Sequence, residues 1–121
     1  MQYLALIYAE DGSGPQPETP EWDAFMQGYA KANQAFKEEG AFVDGQPLKH
    51  SSTATSVRVR GGKVETMDGP FAETKERLGG YYLLDCKDLD QAIRLAALIP
   101  TAEYGTIEVR PIQDIVLPDP K

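Results

Sequence analysis

The densest group of side chains capable of chemistry lies between Asp68 and Tyr82, in a segment rich in turn-forming residues. Asp68 precedes Gly69 and Pro70, and a carboxylate that a loop buries can act as a general base or anchor a ligand. Asp also begins many tight turns, because its side chain accepts a hydrogen bond from the backbone that follows. We therefore take Asp68 as the candidate catalytic residue, with a turn-forming role as the alternative.

Four charged side chains follow within five residues, namely Glu73, Lys75, Glu76 and Arg77. Functional side chains often lie on loops that a rigid scaffold positions, so Glu73 and Lys75 are candidate ligand-binding residues. The alternative is a solvated cluster, in which exposed ion pairs contribute only about 0–1 kcal/mol each. Phe71 is a bulky apolar residue in this polar loop, and we expect it to anchor the loop in the core.

Two tyrosines and one arginine complete the candidate ligand-binding set. Tyr8 and Tyr82 lie at the ends of two apolar runs, where their hydroxyls can reach a ligand at the mouth of the fold. Buried tyrosines usually pack in the core with the hydroxyl bonded to a surface partner, which is the alternative for both. Arg58 lies in a predicted strand, where a guanidinium can bind a carboxylate or a phosphate, or else belong to a solvated face.

The single histidine, His50, and the single cysteine, Cys86, have no Cys or His partner at metal-ligand spacing. No metal site and no cofactor are therefore expected. His50 falls in an irregular segment, so we expect it to be an exposed loop residue. Cys86 ends an apolar strand and is expected to be a small buried hydrophobic residue rather than a nucleophile. The sequence also lacks the GxGxxG, P-loop and GxSxG motifs.

Alternating strands and helices must position these residues. Apolar runs and period-two alternation predict strands, and Gly61-Gly62 is a typical two-residue hairpin turn. The spacing of apolar residues, with Pro20 at the first helical position and Asp88 as a cap, predicts two helices. The predicted strands are residues 2–9, 41–46, 55–60, 63–67, 80–86 and 106–111. The predicted helices are residues 20–39 and a segment from Asp88 to the residue before Pro100.

This order of elements predicts an α+β fold in one domain, residues 1–121. It resembles the ferredoxin-like βαββαβ arrangement with an extra hairpin, in which a mostly antiparallel sheet carries two helices on one face. The formal net charge of −7 disfavours nucleic-acid binding, since phosphates repel such a chain. No apolar stretch reaches the ~18 residues that span a bilayer, and the lone cysteine fits a reducing cytoplasm.

Two of the predicted strands are apolar on both faces, which indicates a homodimer. Two helices cover only one face of the sheet, and a large exposed apolar patch marks an interaction site. We expect a second copy to pack on the other face, sheet against sheet. The alternative is a monomer whose loops at 10–18 and 68–79 fold over that face. In the first strand the two sets of side chains are Tyr3, Ala5 and Ile7 on one face, and Leu4, Leu6 and Tyr8 on the other.

The segment from Asp68 to Tyr82, DGPFAETKERLGGYY, resembles the signature of the DGPF branch of the YCII-related family. Four further segments resemble the family in the same order along the chain. These segments are residues 1–8, 53–58, 88–93 and 105–112. The resemblance therefore extends over nearly the whole chain, apart from the loop at 10–19 and the tail after 113.

The resemblance implies a ferredoxin-like fold of the dimeric α+β barrel type, which agrees with the two-sided strands. Relatives of the YCII type are proposed enzymes with a His-Asp pair, whose histidine lies near the start of the first helix. The first helix here begins Pro20-Glu21-Trp22-Asp23, without a histidine, so that pair is not carried over. Genes of the DGPF branch often lie beside sigma-factor genes, which implies a regulatory or stress setting.

Two functions remain open. The first is the binding or conversion of a small polar molecule in a cleft near the DGPF loop, with Asp68 facing an enclosed pocket. The second is that of a non-catalytic regulatory or accessory protein that acts through protein–protein contacts. The acidic net charge would suit a basic partner.

Overall fold

A central sheet and two helices make up the structure, a computed structural model that describes residues 1–121. The strands are β1 (Gln2–Glu10), β2 (Phe42–Pro47), β3 (Thr55–Arg60), β4 (Lys63–Asp68), β5 (Glu76–Asp85) and β6 (Thr106–Pro111). The helices are α1 (Pro20–Glu38) and α2 (Leu89–Ala96), and 3-10 turns lie at Ser51–Thr53 and Pro100–Glu103. Four strands pair antiparallel in the order β2-β5-β1-β6, whereas β3 pairs only with β4. The predicted ferredoxin-like α+β fold with an extra hairpin is confirmed.

The core lies between one face of the sheet and the two helices. Tyr3, Ala5 and Ile7 of β1 are buried there, because successive side chains of a strand point to opposite faces. Tyr82 and Leu84 of β5 are buried beside them. The buried helix residues are Ala32, Phe36, Ala92, Leu95 and Ala96.

The two helices begin where the sequence predicts. α1 begins at Pro20, and after its end Gly40 adopts a φ of 67°, which glycine does at low cost. Asp88 caps α2, since its carboxylate accepts a hydrogen bond from Gln91 N at 2.9 Å. Gln91 Oε1 accepts a hydrogen bond from Lys87 N at 2.8 Å, one residue before the cap, so only the Asp88 half of the predicted capping box forms.

β5 begins at Glu76, whereas the sequence predicts a strand only from residue 80. The first residues of β5 pair with Tyr8, Ala9 and Glu10 at the end of β1. The register of the pairing shifts between Ile7 and Tyr8. Phe71, in the loop before β5, is 79% exposed, so the predicted core anchor is wrong. The reason is that β3 and β4 form a hairpin outside the main sheet, and the loop that leaves β4 does not cross the core.

The second face of the sheet, here called the open face, is not covered by the helices. Leu4 and Leu6 of β1 and Tyr81 and Leu83 of β5 are half-buried on it. The Tyr81 hydroxyl donates to Asp44 Oδ2 at 3.0 Å, which links β5 to β2. The helices therefore lie on one face only, as predicted from the order of the elements. Neither helix has the length and apolar character needed to cross a membrane.

Candidate functional site

Polar side chains converge at one end of the sheet because of the strand directions. β1 and β2 both run antiparallel to β5, so their carboxyl ends meet the amino end of β5. Asp11 directly follows β1, His50 lies three residues after β2, and Arg77 is the second residue of β5. The topology therefore brings a carboxylate, an imidazole and a guanidinium to the same edge.

Asp11 is the centre of this group, which we call the Asp11 cluster (Asp11, His50 and Arg77). Its Oδ1 lies 3.0 Å from His50 Nε2, and its Oδ2 lies 3.8 Å from Arg77 Nε. His50 Nδ1 accepts a hydrogen bond from Ser52 N at 3.1 Å, so the neutral ring carries its proton on Nε2 and donates it to Asp11. These contacts join the loop after β1 to the segment after β2.

A cleft of about 480 Å³ opens beside the Asp11 cluster. β1 and β5 form one wall, and the segment after β2 and the DGPF loop form the others. The lining residues are Tyr8, Leu48, Lys49, His50, Ser51, Thr53, Ala54, Pro70, Ala72, Thr74, Arg77 and Leu78. Small-molecule sites are typically clefts of about 300–1,000 Å³ in which apolar walls carry a few polar groups. This cleft has both properties.

The Ser51 hydroxyl is buried in the wall of the cleft. Its Oγ has no hydrogen-bond partner within the chain. A buried hydroxyl without a partner destabilises a fold by about 1–3 kcal/mol. A polar ligand atom or an ordered water in the cleft would complete its hydrogen bonding.

The charged side chains that line the cleft are cationic, a charge that suits a molecule with an anionic group. Arg77 and Lys49 supply positive charge, and Lys49 makes no ion pair within the chain. A guanidinium binds carboxylates and phosphates in two-pronged geometry, and Ser51 and Tyr8 add hydroxyls that donate or accept. Leu78 belongs to the apolar wall, which would pack against the carbon skeleton of such a molecule.

His50 is held by both of its ring nitrogens. Nδ1 lies 2.9 Å from Ser52 Oγ and also accepts from Ser52 N, while Nε2 contacts Asp11. In this arrangement the imidazole orients Asp11 and exchanges a proton with a ligand only after one of these bonds opens. The structure brings no three His, Cys, Asp or Glu side chains together in a way that could hold a metal ion.

Of the predicted site residues, Tyr8 lines the cleft, and Asp68 and Arg58 do not. Asp68 is exposed at the end of β4, where it pairs with Thr55 of β3. Arg58 lies on the hairpin, with its Nε 3.9 Å from Glu65 Oε1. The structure therefore separates Tyr8 from the other two residues.

Glu73 and Lys75 lie in the segment between the hairpin and β5, and both are exposed. Lys75 Nζ is 3.1 Å from Glu10 Oε1, a surface ion pair close to the end of β1. Neither side chain lines the cleft, although Thr74 between them does. Their ligand-binding roles stay predictions.

Tyr82 lies on the helix face of the sheet, away from the cleft. Its hydroxyl donates to Asn33 Oδ1 at 2.5 Å, and its ring packs edge-on against Phe36 with 5.0 Å between centroids. Burial raises the pKa of Tyr82 to about 12. Cys86 is buried as predicted, and burial raises the pKa of its thiol. His50 is exposed, also as predicted.

Sequence reasoning missed Asp11, Ser51 and Arg77 as site residues and assigned no function to His50. The available signal is that Asp11 and His50 each follow a predicted strand at a short distance. That signal becomes specific only when β1 and β2 are known to run in the same direction on either side of β5. Strand neighbours of this kind are set by tertiary packing rather than by local sequence.

The fold and the cleft together define a ferredoxin-like α+β domain with a candidate small-molecule site at one end of the sheet. A sequence model of the YCII-related domain matches residues 1–116, so the chain belongs to the YCII-related family. An uncharacterised protein of Rhizobium meliloti is 33% identical over 114 residues, which cover 93% of this chain and 92% of that protein. The family resemblance read from the sequence is thereby confirmed.

A solved structure with a similar fold is that of a 5-chloro-2-hydroxyhydroquinone dehydrochlorinase from Burkholderia phenoliruptrix, in complex with 2,5-dihydroxybenzoquinone. It is 13% identical to this chain with a TM-score of 0.49, and the match covers 93% of this chain and 94% of that chain. At this identity and TM-score, the similarity carries no activity or ligand over to this protein.

Proposed function

We propose that this protein binds a small organic molecule with an anionic group in the cleft beside the Asp11 cluster. The observation that supports the proposal most strongly is that Arg77, Tyr8 and the unpartnered Ser51 hydroxyl line one cleft with apolar walls. The guanidinium would bind the anionic group, and the two hydroxyls would bind further polar atoms. A cytoplasmic location, expected from the single cysteine, is part of this proposal.

Conversion of the bound molecule would require proton transfer within the cleft. The groups that line it and can exchange a proton are the Tyr8 hydroxyl, the His50 imidazole and the Lys49 ammonium. His50 would become available when a ligand displaces the Ser52 contact to Nδ1.

Asp68 as a general base stays a second, separate proposal. Asp68→Asn tests it, because this variant removes the carboxylate charge and keeps the shape of the side chain.

We also propose a homodimer in which two open faces pack together. Tyr8 alternates with Leu4 and Leu6 on β1 and also lines the cleft. A second copy on the open face would therefore lie next to the cleft and help to exclude water from it. Water exclusion strengthens electrostatic contacts to a bound anion.

Thermal unfolding of the purified protein with hydroxybenzoates, short dicarboxylates and small phosphorylated acids tests the binding proposal. A ligand that binds only the folded state at a hundred times its dissociation constant adds about 2.7 kcal/mol of stability. Arg77→Gln should remove the shift that the best compound gives to the wild type. Arg60→Gln, which changes an exposed arginine of the hairpin, is the matched control and should leave the shift intact.

A shift that Arg77→Gln preserves would show that the compound binds elsewhere. Parallel loss in Arg60→Gln would show a general charge effect rather than a site. If only Asp68→Asn removes the shift, the Asp68 proposal replaces the one based on Arg77. The three variants therefore separate the candidate sites.

A second candidate function, protein–protein contact, is favoured by Phe71. This aromatic side chain of the DGPF loop is 79% exposed beside an exposed hairpin. Exposed aromatic residues often anchor protein interfaces. Affinity capture from the native host with wild-type protein and with Phe71→Ala tests this function. A stoichiometric partner recovered with the wild type and lost with Phe71→Ala supports it, and equal recovery contradicts it.

A further inference from the structure

The hairpin of β3 and β4 stands apart from the main sheet. Its strands pair only with each other, and nearly all of its residues are exposed on both faces. Val57, Val59 and Val64 are among the exposed apolar side chains. Because a two-stranded hairpin alone is marginally stable in water, this element is a strong candidate to be covered by another segment.

One face of the hairpin forms a groove of about 330 Å³ with the DGPF loop. Met67 and Phe71 supply its apolar surface, and Arg58 and Arg60 supply positive charge. Although the whole chain has a net charge of −7, residues 55–67 carry three cationic side chains and one carboxylate. The groove therefore fits an apolar segment that carries acidic residues.

The C-terminal segment has those properties. Residues after Pro111 form no helix or strand, and Val116 is 99% exposed between the exposed Ile115 and Leu117. Two carboxylates, Asp114 and Asp119, flank these three apolar residues. The chain thus contains an exposed apolar and acidic segment as well as an exposed apolar and basic groove.

We infer that residues 112–119 of one copy pack into the hairpin groove of a second copy. The direction of β6 supports a contact between copies rather than within one. β6 starts opposite Tyr8 and ends opposite Tyr3, and Ile112 N then bonds to Gln2 O. The tail therefore leaves the sheet at the end opposite to the hairpin. These two ends, at Tyr3 and Tyr8 of β1, are about 17 Å apart.

Two-fold symmetry allows both tails to reach a groove at once. In one such arrangement the two sheets stack face to face, and the two-fold axis lies between them, perpendicular to the strands. The strands of the partner then run in the opposite direction. The tail end of each protomer then lies over the hairpin end of the other. The inferred contact rests on the homodimer proposed above but does not depend on any ligand in the cleft.

Cross-linking between two variants that each carry one added cysteine tests the contact. Met67→Cys changes the groove and Val116→Cys changes the tail, and both positions are exposed, so the fold should tolerate either change. A tagged Met67→Cys protein is mixed with untagged Val116→Cys protein and treated with a short bismaleimide. Native Cys86 is buried and should not react. We expect a cross-linked heterodimer in several-fold higher yield than from Lys31→Cys mixed with Val116→Cys.

Equal yields from the two mixtures would overturn the inference. A variant that carries both Met67→Cys and Val116→Cys gives a further check. A cross-link within a single chain of this variant would show that each tail covers its own hairpin. That result would also overturn the inference. In the mixed sample, Asp114→Lys on the tail should lower the yield, and Arg58→Asp on the groove partner should restore it. Failure of this charge exchange to restore the yield would contradict the assigned groove.

Discussion

The hydrogen bonding of Ser51 is incomplete in the folded chain, which agrees with the proposal that its hydroxyl binds a ligand. Its buried Oγ has no partner. We predict that Ser51→Ala leaves the free energy of unfolding unchanged or raises it by up to about 1–3 kcal/mol, because it removes the unsatisfied group. The same variant should weaken ligand binding. Urea unfolding and the thermal-shift assay measure the two effects.

Ser56→Ala is the matched control for this prediction. The Ser56 hydroxyl donates to Gly69 O at 2.9 Å, so its removal should lower the free energy of unfolding by about 0.5–1.5 kcal/mol. A comparable loss of stability in Ser51→Ala would show that the Ser51 hydroxyl has a partner in the folded protein. That result would remove it from the candidate site.

Tyr82 gives a prediction for alkaline pH. Burial raises its pKa from 10.0 to about 12, so the folded state holds this proton more tightly than the unfolded state. Its contribution to stability is therefore complete below the unfolded pKa of about 10 and is lost as the pH rises toward about 12. The difference in tyrosinate absorbance between wild type and Tyr82→Phe measures the ionisation. A difference that develops around pH 10 in the folded protein would contradict a buried phenol.

At the residue scale, the position of Tyr8 at the cleft was predictable because this residue ends an apolar strand with a polar group. The exposure of Phe71 was not predictable, because a bulky apolar residue normally indicates burial. Phe71 is exposed because the hairpin lies outside the sheet. His50 and Asp11 are separated by thirty-nine positions in sequence. Only the order of the strands brings them within hydrogen-bonding distance.

The contact between Glu39 at the end of α1 and Arg94 of α2 contributes to the pH dependence of stability. Arg94 binds Glu39 through both carboxylate oxygens, at 2.6 and 2.9 Å, and Gln91 adds a third hydrogen bond. The hydrogen bonds from Arg94, followed by that from Gln91, lower the pKa of Glu39 from 4.5 to about 2. The carboxylate therefore stabilises the fold above pH 4.5, and its contribution is lost as the pH falls toward about 2.

Glu39→Gln should accordingly lose less stability than the wild type between about pH 5 and about pH 3. Urea unfolding at the two pH values measures the difference. Glu73→Gln is the control, because Glu73 is exposed and forms no ion pair. The same acid-induced loss in Glu39→Gln and in wild type would contradict a role for Glu39 in joining the helices.

Gly105 permits the close approach of β6 to β1 beside the cleft. A Cβ at this position would lie 2.0 Å from Tyr8 O and 3.0 Å from Ala9 Cα, so the backbone itself would have to move. We predict that Gly105→Ala lowers the free energy of unfolding by about 1–3 kcal/mol or more. Gly79→Ala is the control, since its Cβ would meet only Ile7 O, at 3.9 Å. Equal unfolding midpoints in urea for the two variants would contradict this account.

Local signals in the sequence were sufficient for most elements. Pro20, Gly40 and the Asp88–Gln91 pair determine the helix ends, and Gly61-Gly62 determines the hairpin turn. The early start of β5 at Glu76 was not predictable in the same way. Its charged residues are typical of a loop, and pairing with β1 overrides that local tendency.

At the scale of the whole molecule, the open face predicts the oligomeric state. Leu6 lies at its centre, between neighbours on β5 and β6. Leu6→Glu should convert the proposed dimer to a monomer, because a second carboxylate buried beside Glu108 is strongly unfavourable. Leu98→Glu, which changes an exposed leucine after α2, should leave the dimer intact. Sedimentation velocity distinguishes these outcomes, and a monomeric wild type would contradict the proposed dimer.

Ligand binding in the cleft beside the Asp11 cluster is the proposal on which the function depends. Two-dimensional amide NMR spectra of the isotope-labelled protein, titrated with the compound that gives the largest thermal shift, test it most directly. We predict that the perturbed amides cluster at residues 48–54 and 70–78 and around Tyr8 and Asp11, which surround the cleft. Perturbations confined to the open face or to the hairpin would place the ligand elsewhere and contradict the proposed site.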